Sequence, residues 1–273
     1  MTESPNAPIW LARRRVALLV GAAFCTLVLC GDLIARGAWG MGASCLGIGG
    51  LGLWGFGTRR WALLGGGIAL AAMVVAAEGA RQLYGYNSRF TYVGGAVLLG
   101  WLFGTGLHAI RVRMSADVHA GPAWAGDVLA ERCALGVLCA LYVNSGCSKW
   151  VVSGFLWVAP ENLAALITAH ALPGVEPGVM GTLEWVVVTP TMTSLLAGIT
   201  LLLETGAFVM LLGGRLRAFW AFGLIAMHVG IGLLTGTIWY VANLFFLLVF
   251  AFEEAAPPSI SGETPVSLGD QPL

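Results

Sequence analysis

The chain has 273 residues, 58% of them hydrophobic and only 10% charged, with a mean hydropathy of +0.84. Soluble domains carry about a quarter charged residues, so most of this surface is suited to lipid. Basic and acidic residues number 14 each and cancel, which argues against a nucleic-acid binder, because phosphate recognition requires a basic surface.

A spanning helix needs about 20 mainly apolar residues, with every backbone group paired internally. By that rule the chain reads as an all-α, polytopic helical membrane protein. Eight transmembrane helices are expected near 16–36, 38–57, 61–79, 91–110, 128–148, 189–212, 218–235 and 238–252. Arg13, Arg14 and Arg15 precede the first apolar run as in a secretory signal. No small-x-small cleavage site follows convincingly, so that run is read as the first span. Within span four, Gly100-Trp-Leu-Phe-Gly104 has the spacing that lets membrane helices approach closely, and Gly232-Leu-Leu-Thr-Gly236 repeats it later. Residues 150–188 form the longest connection, yet Phe155-Leu156-Trp157-Val158 and Leu163 to Leu172 are apolar and are interrupted by Pro160, Pro173 and Pro177. Short helices in the bilayer interface are expected there. The stretch 218–252 has His228 as its only titratable residue and is too long for one crossing, so a break is expected at Thr235-Gly236-Thr237. Residues 253–273, rich in Pro, Ser, Gly and acid, read as a disordered cytoplasmic tail.

Orientation follows from lysine and arginine. With the N-terminus inside, the cytoplasmic face collects Arg13, Arg14, Arg15, Arg59, Arg60, Arg111, Arg113, Arg132, Arg215 and Arg217. The outer face receives Arg36, Arg81, Arg89 and Lys149. That asymmetry obeys the positive-inside rule, places both termini in the cytoplasm and puts 150–188 outside.

Ionisable groups inside hydrocarbon cost roughly 2.5–3.5 kcal/mol each on the insertion scale, so each requires a reason. Asp32 with Arg36 and Glu78 with Arg81 are spaced for local neutralisation. Glu204 in span six and His228 in span seven lie near mid-membrane and are expected to face each other or a wet cavity. Two readings stand: a proton-handling pair, or an interhelical hydrogen bond that fixes packing. Lys149 is the sole lysine and shares a helical face with Ser145. It reads either as an anchor reaching the interface or, partly desolvated, as a general base. Asn144, Ser145 and Asn243 add neutral polar groups, and His170 in the external segment could reach the same vestibule. The six cysteines form no CxxC pair and read as small apolar residues. No metal constellation is visible.

The ordered set Tyr142-Val-Asn-Ser145-Gly146-Cys-Ser-Lys149, Trp157, Glu204, the turn bearing Arg215 and Arg217, His228 and Asn243-Leu-Phe resembles the horizontally transferred transmembrane (HTTM) family. That family includes the vitamin K-dependent gamma-carboxylases and the sporulation-delaying protein B group. The resemblance is clearest over 128–252 and implies that 1–252 is a single HTTM domain. In the carboxylases a small-Gly-x-x-Lys segment supplies the lysine that deprotonates reduced vitamin K, and Lys149 matches it. Glu204 and His228 match the family's acidic and histidine positions. The resemblance thus implies a catalytic set of Lys149, Glu204 and His228, with Asn144, Ser145, Trp157, His170 and Asn243 as substrate-binding candidates. The substrate would be an exported peptide or a quinone-type lipid, with a reduced quinone (menaquinol or vitamin K-like) as cofactor. A companion maturation protein as partner and a bacterial cytoplasmic membrane, active face outward, are implied likewise. Only 21 residues follow the last expected span, which places the chain nearer the sporulation-delaying group than the carboxylases. The competing reading is a non-catalytic immunity or assembly factor, or a small transporter, whose polar groups only tie helices together.

Overall fold

The structure is a computed structural model and describes residues 9–85, 89–114, 125–170, 185–186, 189–235 and 241–252. Those residues form helices and contain no strand. In chain order these are α1 (Ile9–Ala35), α2 (Trp39–Gly57), α3 (Ala62–Tyr84), α4 (Arg89–Met114), α5 (Ala125–Ser153), α6 (Pro160–His170), α7 (Pro190–Thr205), α8 (Gly214–Thr235) and α9 (Val241–Ala251). Three short 3-10 segments, Arg59–Trp61, Gly154–Val158 and Ala207–Leu212, join them.

Four helical stretches are long and apolar enough to cross a bilayer: Arg13–Ala35, Ala62–Tyr84, Val93–Met114 and Gly214–Leu234. A fifth arises if α5 with its 3-10 extension and α6 count as one broken span; they are bent by 104°. Helix length accounts for most of the difference from the eight expected. The expected span 189–212 is a helix of 16 residues, about 24 Å long, followed by a 3-10 segment. α9 has 11 residues, about 17 Å against a hydrocarbon core of about 30 Å. α2 has 19 residues, eight of them glycine, and is not among the four stretches. Large apolar side chains face outward along the helices, Trp54, Leu51, Phe103 and Leu233 each being more than half exposed. An aqueous surface would not tolerate this, and it marks the chain as an integral membrane protein. The tail from 253, the break at 236–237 and residues 171–184 of the external segment lie outside the described residues.

The first four helices pack through glycine. A Cβ at Gly65 of α3 would lie 2.4 Å from the Phe56 nitrogen and 2.6 Å from the Gly52 oxygen, so α2 and α3 touch backbone to backbone. The Gly100–Gly104 pair does the same against α5. Added Cβ atoms there would lie 2.8 Å from Ala134 Cα and 2.5 Å from Ala130 Cα. The expected close approach is therefore present, made by small residues spaced by four on both helices. α1 stops at Gly37, whose φ of +93° closes a turn in which Ala38 N–H donates to the Leu33 oxygen at 2.9 Å and Gly37 N–H to the Ile34 oxygen at 3.0 Å. This is the left-handed glycine stop that satisfies orphan helix carbonyls.

Phe56, Met73, Trp101, Leu138, Phe246 and Phe250 form the centre of the core, each 2% exposed or less. Two surface acids are neutralised within their own helices as expected. Arg36 Nε donates to Asp32 Oδ1 at 2.9 Å, and Arg81 reaches both oxygens of Glu78 at 2.8 and 2.5 Å. A buried ion pair not anticipated from the sequence joins Arg14 of α1 to Glu131 of α5, and Arg14 also donates to the Phe252 carbonyl just after α9. One arginine thus ties the first, fifth and last helices and caps the negative end of α9.

Candidate functional site

One face of α5 sets out the polar groups. Glu131, Leu135, Leu138, Tyr142, Ser145 and Lys149 follow one another at alternating steps of four and three, the spacing that keeps side chains on one helical stripe. The stripe has an acid at its start, two leucines no more than 2% exposed in its middle, and a hydroxyl-and-amine run at its end.

Gly146 lies beside that run. A Cβ there would be 2.8 Å from the Thr205 nitrogen and 3.2 Å from Glu204 Cβ, so the missing side chain lets α7 sit directly on α5. Lys149 and Glu204 meet across this contact as a salt bridge, with side-chain exposures of 19% and 8%. Ser145 Oγ donates to the other carboxylate oxygen at 3.3 Å, and Lys149 Nζ lies 3.5 Å from Ser145 Oγ. Both are long, weak bonds. The ammonium also stands 5.2 Å from the centre of the Trp157 ring, within cation–π range.

Trp157 comes from the 3-10 segment that follows α5. Gly154 opens the segment at φ +55°. Ala159 closes it in an extended conformation, as the residue before a proline must be. The bend therefore folds back over the Lys149–Glu204 pair, and Val158 packs against Gly198 of α7. The Trp157 indole nitrogen is buried and has no hydrogen-bond partner among the described residues, an arrangement that costs about 1–3 kcal/mol.

A second polar group lies on the same stripe of α5. Asn243 Nδ2 of α9 donates to Tyr142 Oη at 3.0 Å, and Tyr142 Oη lies 2.8 Å from His228 Nε2 of α8. With one lone pair of the hydroxyl filled by the amide, its hydrogen can go to Nε2, which would make Nδ1 the protonated ring nitrogen. Tyr142 and His228 are 5% exposed each, so three helices are joined by a network that is buried at its tyrosine and histidine and part-buried at Asn243.

Of the two arrangements expected for Glu204 and His228, direct contact is not the one the hydrogen bonds describe. Glu204 bonds to Lys149 and Ser145, and His228 to Tyr142. The lysine satisfies the buried carboxylate more strongly than an imidazole could, because the pair is fully charged. Asn144 is not part of this stripe: its residue is exposed on another face of α5, and its backbone oxygen accepts from Ser148 Oγ at 2.7 Å. Lys149, Glu204, Ser145 and Trp157 come together as one cluster, with Asn243 and His228 in the second. His170 ends α6, and its side chain lies outside the described residues.

Sequence reasoning gave Tyr142 no role of its own, although its position three before Ser145 on the stripe was the available signal. It also passed over Glu131, which occupies the same stripe further back. A small apolar void lies elsewhere, lined by Leu18, Phe56, Trp101 and Phe246 among others and carrying no polar side chain. Among the described residues no three His, Cys, Asp or Glu side chains group closely enough to hold a metal.

Comparison with protein-family models, with curated proteins and with solved structures returns no match for this chain.

Proposed function

We propose that this is an eight-span protein of the HTTM type, with both termini in the cytoplasm of a bacterial cell. In this reading it acts at the outer face of the cytoplasmic membrane as an enzyme or maturation factor on an exported peptide or a quinone-type lipid. A companion maturation protein belongs to the same reading. The observation that carries it is the cluster around Lys149. The only lysine of the chain is held by a buried carboxylate and a serine beneath a tryptophan that has a donor to spare.

Lys149 is the base. In a site of low dielectric, Glu204 can accept one ammonium proton, leaving a neutral amine and a neutral acid at no change in total charge. The amine then removes a proton from a weakly acidic O–H. The positive charge it regains beside the new substrate anion holds that anion in place. A quinol head group fits the donor set: Trp157 N–H and the ammonium would hold its oxygen atoms, and its chemistry is to supply the reducing equivalents. His228, held by Tyr142 two turns back along α5 from Lys149, is the proton reserve.

A second reading has a specific observation in its favour. Lys149 and Glu204 close on each other across α5 and α7, as a purely structural interhelical tie would. An immunity or assembly factor, or a small transporter, needs no more than that.

The deciding experiment is mass spectrometry of lipids and peptides that co-purify with the detergent-extracted protein, with the secreted peptides of cells making wild-type or Lys149→Arg protein compared in parallel. A bound quinone or peptide, and a secreted-peptide mass that reverts in the variant, is the expected result. Empty extracts and identical secreted masses would leave only the structural reading. The eight-span topology is checked by alkaline phosphatase fusions, expected active after residues 37 and 85 and inactive after residues 58 and 213.

A further inference from the structure

We infer that Lys149 is also a nucleophile: its amine forms an imine with the carbonyl carbon of a lipid-soluble aldehyde or ketone, while Trp157 N–H receives the carbonyl oxygen. The inference rests on the reading that Lys149 is the reactive group of this site. It goes further in having the nitrogen attack carbon rather than only take a proton.

Three observations converge. Every other basic residue of the chain is arginine, whose guanidinium does not deprotonate in proteins and cannot act this way. At this one position the cation is a group able to become a neutral nucleophile, and a carboxylate lies against it to take the proton. Two donors around it are left over among the described residues. The ammonium has three N–H groups, of which Glu204 and Ser145 engage two, and the buried Trp157 N–H lacks an acceptor among the described residues. An incoming oxygen atom with free lone pairs balances that account. The surroundings specify the rest of the molecule. Val151, Val152, Phe155 and Leu156, on the same bend, are each more than 70% exposed, so the hydrocarbon part of the ligand continues into lipid.

The chemistry closes without a further reagent. Glu204 takes a proton from the ammonium, and the amine adds to the carbonyl carbon. As the C–N bond forms, the carbonyl π pair moves to oxygen, against Trp157 N–H. Glu204 returns its proton to that oxygen, removes a second proton from nitrogen, and gives it to the hydroxyl, which leaves as water. The nitrogen lone pair completes the C=N bond. Ammonium plus carbonyl becomes iminium plus water, nothing is oxidised or reduced, and the positive charge stays on nitrogen. One N–H remains on the iminium, directed at the Glu204 carboxylate, so the ion pair persists from reactant to product.

Lys149 is the only side-chain amine in the chain, which makes the test specific. The full chain in detergent micelles is treated with octanal and cyanoborohydride, and mass spectrometry follows alkylation of Lys149 against the chain's α-amine. Lys149 is expected to react roughly tenfold or more faster, relative to the α-amine, in the folded protein than in the same protein unfolded in SDS. Glu204→Gln is expected to lower that rate about a hundredfold, the low end for a positioned proton-transfer group, and Trp157→Phe about three- to tenfold. A Lys149 that reacts more slowly folded than unfolded behaves as a shielded ion pair and overturns the inference, with no variant needed. An unchanged rate in folded Glu204→Gln overturns it equally. Either failure leaves the base reading intact, since that reading stands or falls on the secreted product.

Discussion

The two ends of α5 each hold an ion pair, one buried and one part-buried, and the pairs are built differently. Toward its start, Glu131 meets Arg14, with side chains 8% and 7% exposed, and the arginine spends a further donor on the Phe252 carbonyl. Toward its end, Lys149 meets Glu204 beside a weakly held serine and a tryptophan donor without an acceptor among the described residues. Arginine is permanently charged and its planar fork suits several acceptors at once, whereas lysine is a point charge that can lose its proton. The first arrangement fixes three helices. The second leaves hydrogen-bonding capacity over, at a bend in the chain. Between them Leu135 and Leu138 are closed to solvent, so the two polar groups are separated along the stripe.

The comparison breaks most forcefully at Glu131. Replacing it with alanine strands Arg14 in the core, and losing one partner of a buried pair costs about 3–5 kcal/mol. Thermal unfolding in detergent should show a loss of that size, and a loss below about 1 kcal/mol would mean that Arg14 is in fact hydrated. The glycine contacts come next. Gly104→Ala puts a Cβ 2.5 Å from Ala130 Cα, next to Glu131. Backbone that cannot yield makes such overpacking cost about 1–3 kcal/mol. Gly67→Ala meets nothing within 4 Å and is the matched control, expected to be neutral in the same assay.

How much of this was legible in the sequence differs between the two ends. Hydropathy located the helices well, because period and composition are local. The costly charges Lys149 and Glu204 stood out for the same reason. Ser145 and Lys149 could be placed together since four residues on one helix fix their relation. Pairing was less accessible. Glu204 lies 55 residues from Lys149, and His228 lies 86 from Tyr142. Spacing says nothing about which helices touch, so it left Glu204 and His228 facing either each other or a wet cavity, and only the family resemblance put Lys149 with them. Arg14 was counted as one more basic residue at the inner face, and Glu131 was not singled out. Only the three-dimensional packing of α1 on α5 makes them a pair. The four or five crossing-length helices fall short of eight expected spans for a related reason: a helix that finishes in a 3-10 segment looks continuous in a hydropathy profile.

Tyr142 tests the region between the two pairs. Tyr142→Phe removes the oxygen that receives Asn243 and bonds His228 and leaves a buried imidazole and a part-buried amide without it. The expected cost is about 1–3 kcal/mol, read as a lower unfolding temperature in detergent. If the network instead carries no stability, the variant will melt with the wild type. Asn243→Leu together with Tyr142→Phe should then cost no more than Tyr142→Phe alone, because replacing both partners removes the stranded donor.

A small effect on stability is expected where the effect on function is largest. Lys149→Arg keeps a positive charge opposite Glu204 and keeps a cation able to stack on Trp157, so unfolding should shift by less than about 1 kcal/mol. What it removes is the ability to give up a proton, because the guanidinium stays charged. If the pair at this end of α5 serves only to hold α5 against α7, the variant will be indistinguishable from wild type in every assay, as a well-made ion pair is in either form. If the amine is the working group, the same protein will fold normally and yet leave its secreted or lipid product unchanged from that of cells lacking it. Arg14→Lys sets the scale at the opposite end. There the loss should be structural, since a lysine cannot reach Glu131 and the Phe252 carbonyl with the same fork, and activity should fall only as far as folding does.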